Sequence, residues 1–213
     1  MTQITAQMVK DLREATGAGP LDSKKALEQN GGDMQKAAEW LREKGIAKAV
    51  KKLNSGRVMN EGIVHAYLHH NHRIGVMVEV DCETDFVANT AQFREFTKNL
   101  GLHIANMAPK YINREEIPAE ALAAEKSMQM RILKDDPKNA NKPDAILEKI
   151  IEGRMDKYYQ DLVLMEQQFL LDDTKTIADL LKGLVSELGE NIQVRRFARF
   201  EIGEGATDEN AAE

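Results

Sequence analysis

The N-terminal quarter of the chain repeats apolar residues at the spacing of short amphipathic helices. Thr5 stands before the first apolar run and Gly17 after it, where an N-cap and a helix stop are expected. Pro20 suits the first turn of a second helix, and Asp33 can cap a third, which we expect to end at Gly45. Because short amphipathic helices bury little surface singly, the pattern predicts a three-helix bundle.

Farther along the chain the apolar period changes from helical spacing to alternation. Ile74–Cys82 alternates apolar and polar residues as a half-buried strand does. Ile63–Leu68 is predicted to be its antiparallel partner, with HHNH as the turn, and NIQVRRFARFEIGE predicts a third strand. Helical spacing returns between the second and third strands, where one predicted helix spans Pro143–Leu170. The predicted fold class is α+β: a helical bundle followed by a small antiparallel sheet of about three strands packed with helices.

These changes of pattern divide the chain into three parts. We expect residues 1–55 to form the helical bundle and its linker, with KAVKKLNSGR as the tether to the next unit. Residues 56–203 are expected to form the sheet-and-helix core, and residues 204–213 a polar, acidic and disordered tail.

Charge and cysteine content argue against several classes of function. The formal net charge is −6 and the basic residues are spread thinly among acids, whereas nucleic-acid phosphates are gripped by a concentrated basic surface. The one basic-dominated stretch, KGIAKAVKKLNSGR, is interpreted as a solvated helix or linker face, so no direct nucleic-acid contact is expected. Cys82 is the one cysteine, which rules out an internal disulfide and suits a reducing compartment. Without a signal-peptide pattern or a segment as long as a membrane span, a cytoplasmic protein with no membrane contact is expected.

The residues with potential for catalysis or metal binding each have a simpler explanation. Strand alternation sends Asp81 and Glu83 to the solvent face, where nothing marks either as the buried acid of acid–base catalysis. Cys82 falls on the apolar face and is expected to be a buried structural thiol. If the strand continues, His65 and His69 project to one face and His70 and His72 to the other, which divides the ligands and disfavours a metal site. TGAGPLDSKKAL lacks the GxxxxGK spacing of a phosphate loop, so we expect no nucleotide hydrolysis. Since each of the other candidate residues has a simpler explanation, we also expect no catalytic residue, cofactor or metal.

The stretch CETDFVANT lies between the end of the second strand and the start of a helix near Ala91. Asn89 or Thr90 can cap that helix. Thr84–Val87 then occupy a junction on a rigid scaffold, where binding residues often sit. A lone phenylalanine is usually buried, so the pattern by itself favours Phe86 in the core.

Three groups of motifs resemble bacterial elongation factor Ts. They are LREATGAG with DSKKALEQNGGDMQKAAEWLREKG near the N-terminus, EGIVHAYLHHNHRIGVMVEVDCETDFVAN in the middle, and LGENIQVRRFARFEIGE near the C-terminus. The similarity extends from about Ile4 to Gly203, and the length is like that of the short members, which carry one copy of the sheet-bearing core. The resemblance implies that the N-terminal bundle has a ubiquitin-associated-like fold.

The resemblance also implies a function, that of a guanine nucleotide exchange factor for the GTPase elongation factor Tu. Asp85 and Phe86 are implied to enter the nucleotide-binding domain of Tu, with Thr84 and Val87 shaping the segment. Magnesium is then displaced, GDP leaves and GTP takes the vacant site. This implication replaces the expectation from the pattern, because the ring of Phe86 must then be exposed.

The N-terminal bundle is implied to form a second contact with Tu, through the loop after its first helix. The residues concerned are Gly19, Pro20 and Leu21, and many members of the family have two methionines in place of the last two. Short members pair through their single core, which implies a homodimer and a two-plus-two complex with Tu. The sheet edge and RRFARFEIG are the candidates for that contact.

Two other functions stay open on the sequence. A ubiquitin-associated-like adaptor for an unrelated peptide accounts for the bundle but not for TDFV or the C-terminal motif. A metal-dependent enzyme would use the histidines and nearby acids, and it requires a stoichiometric metal that elemental analysis detects.

Overall fold

The computed structural model describes residues 4–53, 59–139 and 142–205. Its helices are α1 (Ala6–Thr16), α2 (Pro20–Gln29), α3 (Met34–Leu53), α4 (Asp85–Ala88), α5 (Ala91–Met107), α6 (Ala119–Asp135), α7 (Asp144–Leu162) and α8 (Ile177–Leu188). Its strands are β1 (Glu61–Leu68), β2 (Ile74–Cys82), β3 (Gln168–Phe169), β4 (Asp172–Thr176) and β5 (Ile192–Glu201). One antiparallel sheet has the order β1-β2-β5, and β3 pairs with β4. The predicted α+β class is confirmed.

The chain packs into two compact units that each draw on separated stretches of sequence. The first draws on Met1–Ile63, Val80–Arg94 and Asp179–Gln193, and the second on Val64–Glu79, Glu95–Ala178 and Val194–Glu213. The domain limits at residues 55 and 203 stay a prediction, and residues 206–213 lie outside the described residues. Among the helices of the described ranges, none is long and apolar enough to cross a membrane.

The first three helices form the predicted bundle, and their ends follow the sequence. Thr5 Oγ1 accepts the backbone N–H of Met8 at 3.2 Å, and Gly17 ends α1 in the left-handed region, with a φ of 69°. Pro20 occupies the first turn of α2, and Asp33 Oδ1 accepts a backbone N–H of the first turn of α3 at 3.1 Å. The buried core of the bundle consists of Leu12, Ala26, Leu27, Ala37 and Leu41.

The prediction that α3 ends at Gly45 is wrong, because the helix continues to Leu53. Gly45 serves close packing instead, since a Cβ atom at this position would overlap the Oγ atom of Ser186 on α8. A glycine inside a helix costs about 1 kcal/mol relative to alanine, and here it leaves room for the Ser186 side chain. The first part of the predicted tether is therefore helical, while residues 54–57 of it lie outside the described residues.

One face of the main sheet packs against α5. Tyr67 of β1 lies against Gly101 of α5, where a Cβ atom would be 3.1 Å from the Cβ of Tyr67. Arg199 of β5 donates two hydrogen bonds of 3.3 Å to the backbone carbonyl of Ala105. The alternation predicted for β2 is confirmed, and its buried residues include Val76, Val78, Val80 and Cys82.

The opposite face of this sheet is exposed and carries large apolar side chains. The side chain of Leu68 lies over Gly75, 3.9 Å from the position that a Cβ atom would take, which puts both residues on this face. Arg196 of β5 forms an ion pair with Glu79 of β2 on the same face. The exposed apolar residues of this open sheet face are Val64, Leu68, Met77, Phe200 and Ile202.

The helix predicted over Pro143–Leu170 is wrong in its last part. The helix α7 ends at Leu162, and the chain then passes through a short 3-10 turn into the β3–β4 pair. Gln167 is buried, and its Nε2 donates to the carbonyl of Asp161 at 2.9 Å. These bonds hold the chain as it folds back after α7, which the helical spacing of apolar residues does not reveal.

A buried histidine joins α5 to this β3–β4 pair. His103 is fully buried; its Nδ1 accepts the backbone N–H of Leu170 at 3.3 Å, and its Nε2 lies 3.0 Å from Gln167 Oε1. Because Nδ1 is an acceptor, the ring is neutral and Nε2 carries the proton. Burial lowers the pKa of His103 below its ordinary value of 6.5.

This neutral histidine makes stability depend on pH. The stability that it contributes is present above its ordinary pKa of 6.5 and is lost as the pH falls through the lower pKa of the folded state. We expect the free energy of unfolding to fall by up to about 1.4 kcal/mol per pH unit below about pH 6, with His103→Gln reducing that slope. Urea unfolding of both proteins between about pH 7 and pH 5 measures the slope. Equal slopes for the two proteins would contradict the assignment.

Candidate partner-binding site

The sequence TDFV forms a single helical turn immediately after β2. Thr84 is extended, with φ −136° and ψ 155°, and its Oγ1 accepts the backbone N–H of Val87 at 3.4 Å. Thr84 therefore caps α4, which is one turn of four residues. The sequence predicted a junction between strand and helix here, and the TDFV turn (residues 84–87) fills it with a helical turn.

The TDFV turn displays one large aromatic ring to solvent. Phe86 is 80% exposed, whereas Val87 is 7% exposed and the next residue, Ala88, is 6% exposed. Val87 thus anchors the turn in the protein while Phe86 and the exposed Asp85 face outward. The burial of Phe86 that the pattern alone favoured is wrong, and the exposure that the family resemblance implied is found.

Two carboxylates tie the TDFV turn to the loop before β5. Glu190 accepts the backbone N–H of Thr84 at 3.0 Å with Oε2 and the Thr84 hydroxyl at 2.7 Å with Oε1. In the other direction, Glu83 Oε1 accepts the backbone N–H of Asn191 at 2.9 Å. We term these two reciprocal contacts the carboxylate clamp. The expectation that Glu83 lies on the solvent face is wrong, because this residue is half-buried and bonded across the two loops.

Cys82 also contacts the TDFV turn, through the backbone of Thr84. Its side chain is fully buried, as predicted, and its thiol donates to the backbone carbonyl of Thr84 at 3.1 Å. Burial, followed by the negative charge of Glu190, raises the pKa of Cys82 to about 11. The thiol is therefore protonated at neutral pH and acts as a structural donor rather than a nucleophile.

The helix after the turn begins with a cap from Thr90. Thr90 Oγ1 accepts the backbone N–H of Phe93 at 3.3 Å, so of the two predicted capping residues Thr90 is the one used. Asn89 instead donates from Nδ2 to the carbonyl of Asp85 at 2.9 Å and accepts a bond from the Arg94 guanidinium at 2.6 Å. Asn89 thereby closes the C-terminal end of the TDFV turn.

The N-terminal bundle displays a second exposed apolar side chain. Gly19 precedes α2 in an extended conformation, Pro20 is its first residue, and Leu21 is 83% exposed. Ser23 is buried, and its backbone N–H donates to the Gly19 carbonyl at 2.9 Å, which fixes the start of the helix. Leu27 of the same helix is fully buried, so α2 packs one face and presents Leu21 on the other.

A family model and many curated proteins match this chain. The model described as "Elongation factor TS" matches residues 2–204. The chain belongs to the elongation factor Ts family. It is similar to elongation factor Ts of Thermotoga petrophila, at 50% identity over 97% of the chain and 100% of that protein. It is also similar to elongation factor Ts of Caldanaerobacter subterraneus subsp. tengcongensis, at 52% identity over 95% of the chain and 98% of that protein.

A third relative extends this similarity almost to both ends of the chain. Elongation factor Ts of Acetivibrio thermocellus is 50% identical over 99% of the chain and 96% of that protein. Membership of the elongation factor Ts family makes this chain a protein of translation elongation.

The carboxylate clamp is the part of the site that sequence reasoning missed in this member of the elongation factor Ts family. Glu83 and Glu190 are each followed by the residue that the other one binds, Thr84 and Asn191. The only signal in the sequence was that CET and GEN occurred together among the motifs of the resemblance. A metal site is not formed by these acids: among the described residues no group of three or more His, Cys, Asp or Glu side chains could hold a metal ion.

Proposed function

We propose that the chain is a cytoplasmic guanine nucleotide exchange factor for elongation factor Tu. The single observation that carries this proposal is the ring of Phe86, 80% exposed on a turn whose other apolar residue, Val87, is anchored in the protein. Large exposed aromatic side chains on a fixed support are typical anchors of protein–protein contacts.

In this proposal Phe86 is a wedge that enters the nucleotide-binding domain of Tu. Burying an aromatic ring in a partner supplies about 2 kcal/mol or more, which can offset distortion of the partner's site. Asp85, exposed beside it, brings a negative charge near the magnesium ion and its ligands. Because a bound magnesium ion is the largest local charge in such a site, disturbing its ligands weakens GDP binding strongly.

The second proposed contact with Tu is the start of α2. Leu21 offers an exposed apolar side chain, and Pro20 and Gly19 hold it at the first turn of the helix. This surface supplies binding that does not depend on the TDFV turn. The N-terminal bundle and the TDFV turn both belong to the first packing unit, so one compact body carries both proposed contacts.

The proposed activity requires no nucleotide hydrolysis by the chain itself. Linkage makes the effect mutual: if the chain lowers the affinity of Tu for GDP, GDP lowers the affinity of Tu for the chain by the same factor. The factor therefore dissociates when nucleotide binds again and can act on many molecules of Tu.

Release of labelled GDP from purified Tu tests this proposal. With a small molar fraction of the chain and an excess of unlabelled GTP, we expect release of the whole bound pool to be accelerated. Release at the intrinsic rate of Tu would reject the exchange activity, and acceleration only with equimolar chain would reject turnover.

We further propose that two copies of the chain pair through the open sheet face. Monomeric proteins rarely expose a continuous group of large apolar residues, and here Phe200 is 68% exposed and Met77 is 53% exposed. A twofold axis would set the same face of each copy against the other, with the Arg196–Glu79 ion pairs available to the contact. Such a homodimer carries two TDFV turns and fits a two-plus-two complex with Tu.

Replacing Phe200 tests the pairing. We expect Phe200→Glu to convert a dimer into a monomer, because it places a charge at the centre of the apolar contact. Sedimentation equilibrium measures the molar mass. Ile132→Glu is the matched control, since Ile132 is a 48% exposed apolar residue on α6 and not on a strand of the sheet. A wild-type protein with the mass of one chain at micromolar concentration, or a dimeric Phe200→Glu protein, would reject the open sheet face as the interface.

A further inference from the structure

We propose that Glu190 is a positioning residue that holds the TDFV turn in the conformation that presents Phe86, with Glu83 securing the loop that carries Glu190. This inference rests on the proposed exchange function. It goes beyond that function because it assigns the geometry of the wedge to a residue that lies outside the TDFV turn and far from it in sequence.

Glu190 accepts its two hydrogen bonds from Thr84, the residue that caps the TDFV turn. Thr84 uses its Oγ1 to cap α4 through Val87, and the same hydroxyl donates to Glu190 at 2.7 Å. The backbone N–H of Thr84 also donates to Glu190, at 3.0 Å. One carboxylate therefore fixes both the backbone and the hydroxyl orientation of the capping residue, which sets the direction of the next residues, Asp85 and Phe86.

The two halves of the clamp form a closed arrangement. Glu83 binds the backbone of Asn191, and Glu190 binds the backbone of Thr84, so each loop holds the other at adjacent positions. The Cys82 thiol adds a bond to the Thr84 carbonyl. With its N–H, its hydroxyl and its carbonyl all bonded, Thr84 has little freedom to rotate, although Phe86 two residues later makes few contacts of its own.

Preorganisation is what a wedge requires. A ring that enters a partner's site loses affinity in proportion to the fraction of time its turn spends in other conformations. Phe86 is too exposed to be held by packing of its own side chain. The restraint must therefore come from the backbone of the turn, and the clamp supplies it.

A set of substitutions at position 190 separates positioning from mere stability. Glu190→Met keeps the length of the side chain and removes both acceptors, and we expect the maximal rate of GDP release to fall about tenfold. Glu190→Gln keeps an acceptor for the Thr84 N–H and a donor for the Thr84 hydroxyl, so we expect a loss of about twofold or less. Glu187→Gln, an exposed carboxylate on α8 that contacts Gln92, is the matched control and is expected to behave as wild type.

The decisive readout is the combination with Phe86→Ala. If Glu190 acts through the wedge, Glu190→Met causes no further loss in the Phe86→Ala background. If Glu190 only stabilises the fold, its loss adds to that of Phe86→Ala, and the inference is overturned. Amide hydrogen exchange provides an independent signature: residues 83–88 are expected to lose protection in Glu190→Met, while the helices of the N-terminal bundle keep theirs.

Further outcomes keep this test separate from that of the exchange function. Should Glu190→Met fail to fold, Thr84→Val removes the hydroxyl that donates to Glu190 and caps Val87, keeps the backbone N–H, and changes the shape of the side chain little. We expect Thr84→Val to lower the maximal rate in the otherwise wild-type protein and to cause no further loss in the Phe86→Ala background. If wild type accelerates GDP release and Phe86→Ala does not, but neither clamp variant differs from wild type, the positioning role is rejected while the exchange function stands. If wild type itself has no effect on Tu, the exchange function has failed.

Discussion

Phe86→Ala is expected to slow the release of GDP from elongation factor Tu by about thirtyfold relative to wild type. The loss corresponds to about 2 kcal/mol, the contribution of a buried aromatic anchor at an interface. Because Phe86 is 80% exposed in the free protein, its removal leaves no cavity there. Stopped-flow release of a fluorescent GDP analogue, at saturating concentrations of each protein, measures the change.

The companion measurement is stability. A substitution at an exposed position usually changes the free energy of unfolding by less than about 0.5 kcal/mol. We therefore expect the urea unfolding curves of wild type and Phe86→Ala to coincide. Wild-type release rates in the Phe86→Ala protein would remove Phe86 from the mechanism, whereas slow release accompanied by a large loss of stability would leave its role as a wedge unsupported.

Phe93→Ala is expected to lower the free energy of unfolding strongly, whereas Phe86→Ala is expected to leave it unchanged. Phe93 is fully buried in the first turn of α5, so truncation loses its burial and leaves a cavity. A loss of about 3–5 kcal/mol in the free energy of unfolding is expected, which is a large share of the stability of a typical domain. Urea unfolding followed by far-ultraviolet circular dichroism measures it.

The contrast between the two phenylalanines is the useful control. Where enough Phe93→Ala protein stays folded, we expect its exchange activity per folded molecule to remain, because the Phe93 side chain is fully buried and cannot contact a partner directly. A Phe93→Ala protein as stable as wild type would mean that the core around α5 is packed differently from the structure described above.

Features determined by neighbouring residues could be predicted from the sequence. Thr5, Gly17 and Asp33 fix the ends of the bundle helices through bonds within a few residues, and all three act as predicted. The alternation along β2 likewise gave the correct faces, because a strand with one covered side repeats every second residue.

Features determined by distant residues could not be predicted. Gly45 is a residue type that often ends a helix, and its contact with Ser186, far along the chain, is not visible in the local pattern. The change of chain direction after α7 involves hydrogen bonds of Gln167 to the Asp161 carbonyl and to His103, and a pattern of apolar residues does not reveal such polar contacts. The carboxylate clamp joins Thr84 to Glu190 across a separation of 106 residues, a pairing without any local signal.

The exposure of Phe86 is an intermediate case. The usual burial of phenylalanine predicted the wrong environment, and the family resemblance implied the right one. Physically, the turn satisfies its own polar groups through Thr84 and Asn89 and anchors itself through Val87. Its aromatic residue is then free to face solvent, where only a partner could bury it.

Photo-crosslinking from position 86 tests the central claim most directly. With p-benzoyl-phenylalanine in place of Phe86 and nucleotide-free Tu as partner, we expect crosslinks to residues that surround the guanine nucleotide site of Tu, identified by mass spectrometry. Excess GDP with magnesium should abolish them, and the same probe at the exposed Leu171 should give none at that site. Crosslinks confined to the chain's own core, or crosslinks to Tu elsewhere that persist in excess GDP, would contradict the account.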